Sequence, residues 1–83
     1  MIIFDKMNVK QNIGLRIKEL RELNNLSQKE LSFAADLDRS YIASIENGQR
    51  NVSIVNIEKI AIALKVNLKI FFDAKTFENS TTS

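Results

Sequence analysis

The chain has no cysteine, histidine, proline or tryptophan, only two glycines and a single tyrosine. Without cysteine it forms no disulfide and offers no thiolate, which suits a reducing compartment. Without histidine or cysteine it lacks the commonest general base, the thiol nucleophile and the usual zinc ligands. No glycine-rich phosphate loop occurs, and Asp36 and Asp38 are explained by a turn and a helix cap rather than by a catalytic carboxylate pair. The expectation is a protein that is not an enzyme and needs no metal or cofactor. No run approaches the ~18 apolar residues of a membrane span. Met1-Ile2-Ile3-Phe4 is too short for a secretory core and has no cation before it. A cytoplasmic protein with no membrane partner is expected, so the acceptor triplet Asn79-Ser80-Thr81 is read as fortuitous. With so few breakers, and with valine, isoleucine and phenylalanine at helical rather than alternating spacing, the predicted class is all-α.

What is present fits one small domain. Eighty-three residues with 45% hydrophobic content leave no room for a second core, and a chain of this size often gains stability by association. Residues 1–78 are read as the domain, with 1–7 an apolar lead-in and 79–83 a short polar tail. The net charge of +2 and pI of about 9.1 do not by themselves demand a nucleic acid; positive charge would have to gather on one face.

The organising stretch is Ser27–Gly48, SQKELSFAADLDRSYIASIENG. Ser27 and Glu30 form a capping box, with Leu26 and Leu31 as its hydrophobic staple. The helix they open carries Leu31, Phe33, Ala34 and Ala35, suited to close packing. Asp36-Leu37-Asp38 makes the turn. Asp38 is expected to cap the next helix, with Leu37 and Ile42 as staple. Ile42 and Ile45 give that helix a narrow apolar edge, while Arg39, Ser40, Ala43, Ser44 and Asn47 leave its other face polar or small. Two helices that share a core while one keeps an exposed polar face form a helix-turn-helix, and that face is what a major groove receives.

Around it the spacing predicts three more helices. The first runs from about Asn8 to Asn24, with Ile13, Ile17 and Leu20 on its buried stripe, Leu23 beside it, and Arg16, Lys18, Glu19, Arg21 and Glu22 on a solvated face. Gly48 ends the third helix near Asn47. Ser53 caps the fourth, with Val52 and Ile57 as staple and a stripe begun by Ile54 and continued by Ile57, Ile60, Ala61 and Leu64. Asn67 caps the fifth, with Val66 and Phe71 as staple; it carries Leu68, Phe71 and Phe72 and extends toward Phe77. Successive caps and staples agree on five helices.

The stretch resembles the helix-turn-helix of the phage Cro and repressor family, in which a Ser/Thr-Gln pair opens the first helix and Glu-Asn-Gly closes the second. Within it, DRSYIASIENGQRNVSIVNIEKIA is most similar to the controller proteins of restriction–modification systems, with their Asp-Arg-Ser/Thr-Tyr-Ile run and a following Arg-Asn pair. The resemblance covers roughly Ile13 to Phe72. It implies a compact five-helix domain of the phage repressor type, and a homodimeric transcription regulator on a palindromic double-stranded DNA operator. It also implies autoregulation of a restriction–modification operon, one dimer activating and a second dimer on an adjacent site repressing. An antitoxin or prophage repressor with the same domain, or a protein-interaction module that reads no bases, are the alternatives. Two departures stand out: Asp36 replaces a frequent glycine at a position that often needs positive φ, which Asp tolerates, and Asn47 replaces a frequent arginine, which alters the operator that is read.

On this reading Arg39 is the principal base reader, because it sits at the groove-entering end of its helix and a guanidinium bonds guanine at two acceptors; the alternative is an ion pair with Asp36 or Asp38. Ser40, Ala43, Ser44 and Asn47 share its face. Gln28, flanked by Ser27 and Lys29, lies where free helix amides favour a phosphate, unless it is merely an exposed helix-start residue. Arg50 and Asn51 are placed for a flanking backbone contact. The resemblance puts Tyr41 near the DNA backbone; otherwise its ring packs on the second helix. Leu64, Val66, Leu68, Phe71 and Phe72 are assigned to the dimer interface, since adjacent rings point about 100° apart and one stripe hides both poorly. Glu46, or Glu19 and Glu22, would be the surface offered to RNA polymerase. The regulator is expected to answer to its own concentration rather than to a small effector.

Overall fold

The computed structural model describes residues 8–78. The lead-in 1–7 and the tail 79–83, with the Asn79-Ser80-Thr81 triplet, lie outside the described residues. Five helices follow in order: α1 (Val9–Leu23), α2 (Gln28–Ala35), α3 (Arg39–Glu46), α4 (Ile54–Ala63) and α5 (Leu68–Phe72), then a single 3-10 turn (Lys75–Phe77). Among the described residues no strand occurs and no helix is long and apolar enough to cross a membrane.

Four helix starts are fixed by side chains, three of them, at Ser27, Ser53 and Asn67, as the sequence predicts. Asn8 and Gln11, and Ser27 and Glu30, form reciprocal capping boxes, while Ser53 accepts from the Asn56 amide and Asn67 from that of Ile70. Asp38 differs. It takes the extended cap conformation, but its carboxylate accepts no bond from α3.

The helix ends share one grammar. Asn25, Asp36 and Lys65 all adopt the left-handed conformation, at φ of 58, 56 and 65°. Each is followed by an apolar residue whose amide closes back onto the ending helix: Leu26 to Arg21, Leu37 to Ser32, Val66 to Ala61, each at 3.0 Å. These are Schellman closures. The same apolar residue then precedes the next cap, so Leu26, Leu37 and Val66 each seal one helix and staple the next. The αL role foreseen for Asp36 is met, and Gly48 serves the end of α3 at φ 74°.

Ile13, Ile17 and Leu20 of α1, Leu31 and Ala35 of α2, Ile42 and Ile45 of α3, Ile57, Ile60, Ala61 and Leu64 from α4 and its end, and Phe71 of α5 make one core. Four apolar residues predicted to join or flank it do not. Leu23 (70%), Phe33 (81%) and Ile54 (58%) are exposed, and so is Ala34; Phe33 and Ala34 lie off the stripe of Leu31 and Ala35, while Leu23 is the last residue of α1 and Ile54 the first of α4. Gly14 is buried where α1 crosses α3, and a Cβ there would overlap the carbonyl oxygen of Ile45 and stand 2.9 Å from that of Glu46. Neither is a flexible side-chain tip, so the two helices must separate to admit a methyl group. Gly14→Ala is expected to cost at least about 1–3 kcal/mol, measurable as a lower urea midpoint with the same slope.

The end of the chain departs most from the sequence reading. α5 has five residues, and the backbone turns at Asp73 and Ala74 before Phe77. Phe77 thereby reaches Phe72, with centroids 5.1 Å apart, and Phe72 meets Phe71 edge-on at 5.0 Å. The ring assigned to a partner subunit is thus half covered by its own chain. Arg16 closes this end: Nε donates to the carbonyl of Phe71 and Nη2 to that of Ile70, both at 2.7 Å, while Nη1 pairs with Glu19 at 2.8 Å. Arg16 is only 8% exposed. It caps α5 and is neither a solvated residue nor available to a phosphate.

Candidate nucleic-acid interface

α2 and α3 meet across Leu31, Ala35, Ile42 and Ile45, all buried. This orients α3 so that Arg39, Ser40 and Asn47 are exposed while Ala43 and Ser44 are half-exposed. The five residues predicted for base reading therefore come together on one face. Arg39 forms no ion pair with Asp36 or Asp38; the salt bridges among the described residues are Arg16–Glu19 and Arg21–Glu46. Its guanidinium keeps its donors for another molecule. Ser44 is less free, since its hydroxyl donates to the Tyr41 carbonyl at 2.9 Å and retains only acceptor capacity outward.

The residues predicted for the DNA backbone flank this face. Lys29, Arg50 and Asn51 are exposed. The Ser27 hydroxyl is committed to its capping box, accepting from the Glu30 amide at 3.0 Å. Gln28 is neither loose nor simply exposed: its Nε2 donates to Glu46 Oε1 at 3.1 Å, which leaves its second N–H and its carbonyl oxygen at the start of α2. Tyr41 does not bond to α2. Its hydroxyl accepts from Asn56 Nδ2 of α4 at 3.0 Å, and Arg50 lies over its ring, 5.2 Å from the centroid.

Beneath the face is an ion pair whose members, by charge alone, belong at the surface. Arg21 Nε and Nη2 bond Glu46 Oε2 and Oε1 at 2.7 and 3.0 Å, and Arg21 Nη1 donates to the Leu26 carbonyl at 2.8 Å. The side chains are 12% and 3% exposed. Glu46, accepting from the guanidinium, raises the Arg21 pKa further above its ordinary value despite burial, so Arg21 stays charged at every pH the fold would meet. One carboxylate of α3 thus holds Arg21 of α1 and Gln28 of α2, while Arg21 in turn holds the α1–α2 link. Glu46 consequently offers nothing to a polymerase, and the two faces assigned to α1 by charge alone are wrong at Arg16 and Arg21. A signal was present: Arg21 lies four residues after Ile17, and Glu46 four after Ile42, so both fall on buried stripes with opposite charge.

Of the residues assigned to a dimer interface, Leu64 and Phe71 are 1% and 0% exposed. They belong to the subunit's own core and present no surface to a partner. Val66, Leu68 and Phe72 are half-buried against that core. The apolar side chains that α4 and α5 leave in solvent are instead Ile54 (58%), Val55 (64%), Ile62 (67%) and Ile70 (44%), Val55 and Ile62 being seven residues apart on one helix face.

Comparison with known proteins agrees with this geometry. Residues 17–71 match the model of the helix-turn-helix family. Control protein C.MunI of a Mycoplasma species is 47% identical over 66 residues, covering 78% of this chain and 89% of that protein. The crystal structure of the restriction–modification controller protein C.AhdI from Aeromonas hydrophila superposes with a TM-score of 0.73 at 48% identity, over 76% of this chain and 96% of that one. The controller protein C.Esp1396I, solved as a tetramer with its natural 35-base-pair operator, gives a TM-score of 0.77 at 31% identity, over 82% of this chain and 90% of that one. With the family model spanning α1 to α5 and such identity over nearly the whole of a controller protein, the chain belongs to the restriction–modification controller proteins of the helix-turn-helix family.

Proposed function

We propose that the protein is a homodimeric, sequence-specific DNA-binding regulator that controls transcription of its own restriction–modification operon in the cytoplasm. The observation that carries this is the exposed polar face of α3 with Arg39 unpaired at its N-terminal end, on a chain akin to a controller protein that was solved on its operator. It acts by occupancy rather than by catalysis. Arg39, with Ser40, Ala43, Ser44 and Asn47, reads base edges; Gln28, Lys29, Ser27, Tyr41, Arg50 and Asn51 hold the backbone. Residues 1–78 serve as one binding and dimerisation unit.

Dimerisation sets two recognition helices about 34 Å apart, one turn of DNA. We assign the dimer face to Ile62 and Ile70 with the half-buried Val66, Leu68 and Phe72. Ile62→Glu places a charge on a side chain that the subunit does not bury, so it should leave the monomer folded and shift sedimentation from dimer to monomer. Leu64→Ala, by contrast, should lower unfolding stability by about 2–5 kcal/mol. A folded Ile62→Glu variant that remains dimeric would move the interface elsewhere.

The test of function is titration against the DNA upstream of its own gene and against an unrelated duplex of equal length, across a range of salt. Preference for the upstream duplex with two stepwise shifts supports two dimers on adjacent sites. Equal, salt-sensitive binding to both points to an operator elsewhere, as for a prophage repressor. Absence of binding at low salt refutes DNA recognition and leaves a protein-interaction module.

A further inference from the structure

We propose that Asn56, on α4 and outside the helix-turn-helix, is a positioning residue for the DNA-facing edge and acts on Arg50 through Tyr41. The proposal deepens the DNA-binding reading above and rests on it. Asn56 is itself fixed, since its backbone amide donates to the Ser53 cap at 3.1 Å in the first turn of α4. Its side-chain Nδ2 donates to the Tyr41 hydroxyl at 3.0 Å, across a sequence separation of 15 residues. The Tyr41 ring lies half-buried against the core, so the ring is held by apolar packing along its body and by an amide at its tip. Arg50, exposed in the loop between α3 and α4, rests its guanidinium carbon 5.2 Å from the ring centroid.

A free arginine carries about 2 kcal/mol of rotamer entropy, and ordering it at the moment of binding weakens the complex. A ring clamped by Asn56 orders Arg50 beforehand by cation–π attraction. Without Asn56 the phenol loses its only hydrogen bond from another side chain among the described residues. The platform under Arg50 then loosens, and part of the ordering cost returns on DNA binding. The function of Asn56 is therefore exerted at a DNA contact it does not itself make.

The test is a double-mutant cycle, using as probe the duplex that the wild-type protein enriches from a random-sequence library. Asn56→Ala should weaken binding about threefold to tenfold, the size of an exposed cation–π contribution and its associated ordering. In an Arg50→Ala background the same change should alter affinity by less than about twofold, because the group it positions is gone. Thermal unfolding measured alongside should differ little between the variants. Asn56→Leu, which keeps the volume but has no donor, repeats the cycle if the alanine variant folds poorly. Equal losses in both backgrounds, or no loss from Asn56→Ala while Arg50→Ala still weakens binding, would overturn the positioning role and leave the function intact. Failure of the wild-type protein to enrich any sequence would overturn the DNA reading itself, and this proposal with it.

Discussion

Arg39→Ala should weaken binding to the enriched operator by about 2–6 kcal/mol per dimer while changing affinity for unrelated DNA very little. A bidentate arginine–guanine pair contributes about 1–3 kcal/mol of discrimination. A dimer carries two copies too far apart to share partners, so their effects add. The structure favours a large value because Arg39 is not spent elsewhere: neither Asp36 nor Asp38 pairs with it, and it lies exposed at the start of α3. Competition titrations with operator and random duplex at one salt concentration measure both affinities. Equal loss on the two duplexes would make Arg39 a phosphate contact, and the slope of affinity against salt would fall with it. Arg39→Lys separates the possibilities further, since a lysine keeps the charge but not the planar fork.

The largest effect on stability is expected at Glu46. Glu46→Ala strands the Arg21 guanidinium, which stays charged at 12% side-chain exposure with the Leu26 carbonyl as its remaining bond. Removing one member of such a pair costs about 3–5 kcal/mol, out of a total of roughly 4–12 kcal/mol for a domain of this length. At about 4–8 °C per kcal/mol the thermal midpoint should fall far enough to unfold a large fraction of the protein near physiological temperature. Replacing both partners by apolar residues of similar volume, Arg21→Met with Glu46→Leu, should recover most of the loss, because no charge is then left buried alone. A double variant as unstable as Glu46→Ala would show that the hydrogen bonds to Leu26 and Gln28, rather than the stranded charge, hold the three helices together.

These residues also show how far the sequence could be read. Ser27–Glu30, Ser53 and Asn67 announced helix starts correctly because a cap is a local bargain between a side chain and amides three residues away. Asp36 announced a left-handed helix end by another route, the resemblance, since the family often has glycine at that position. Asp38 met the pattern and not the bond, since extended backbone at a cap permits a side-chain bond without compelling it. Arg21 and Glu46 lay on buried stripes in plain view, but 25 residues separate them, and neither helix taken alone could reveal that the other supplies its counter-charge. Arg16 was hidden in a different way, because its acceptors are main-chain carbonyls of α5, which carry no mark in a sequence.

By itself, then, the sequence determined the helices, the order of their caps, the exposed face of α3 and the kinship with controller proteins. All of these depend on residues near in the chain or on a contiguous motif. The tertiary structure alone decided which charges are buried, that Gly14 must be a glycine, that Phe77 folds back over Phe72, and that Asn56 reaches Tyr41. The physical reason is common to all four. Each depends on the distance between elements brought together by the core, and hydrophobic burial, which drives that assembly, is non-directional and leaves the register of distant partners to the packed whole.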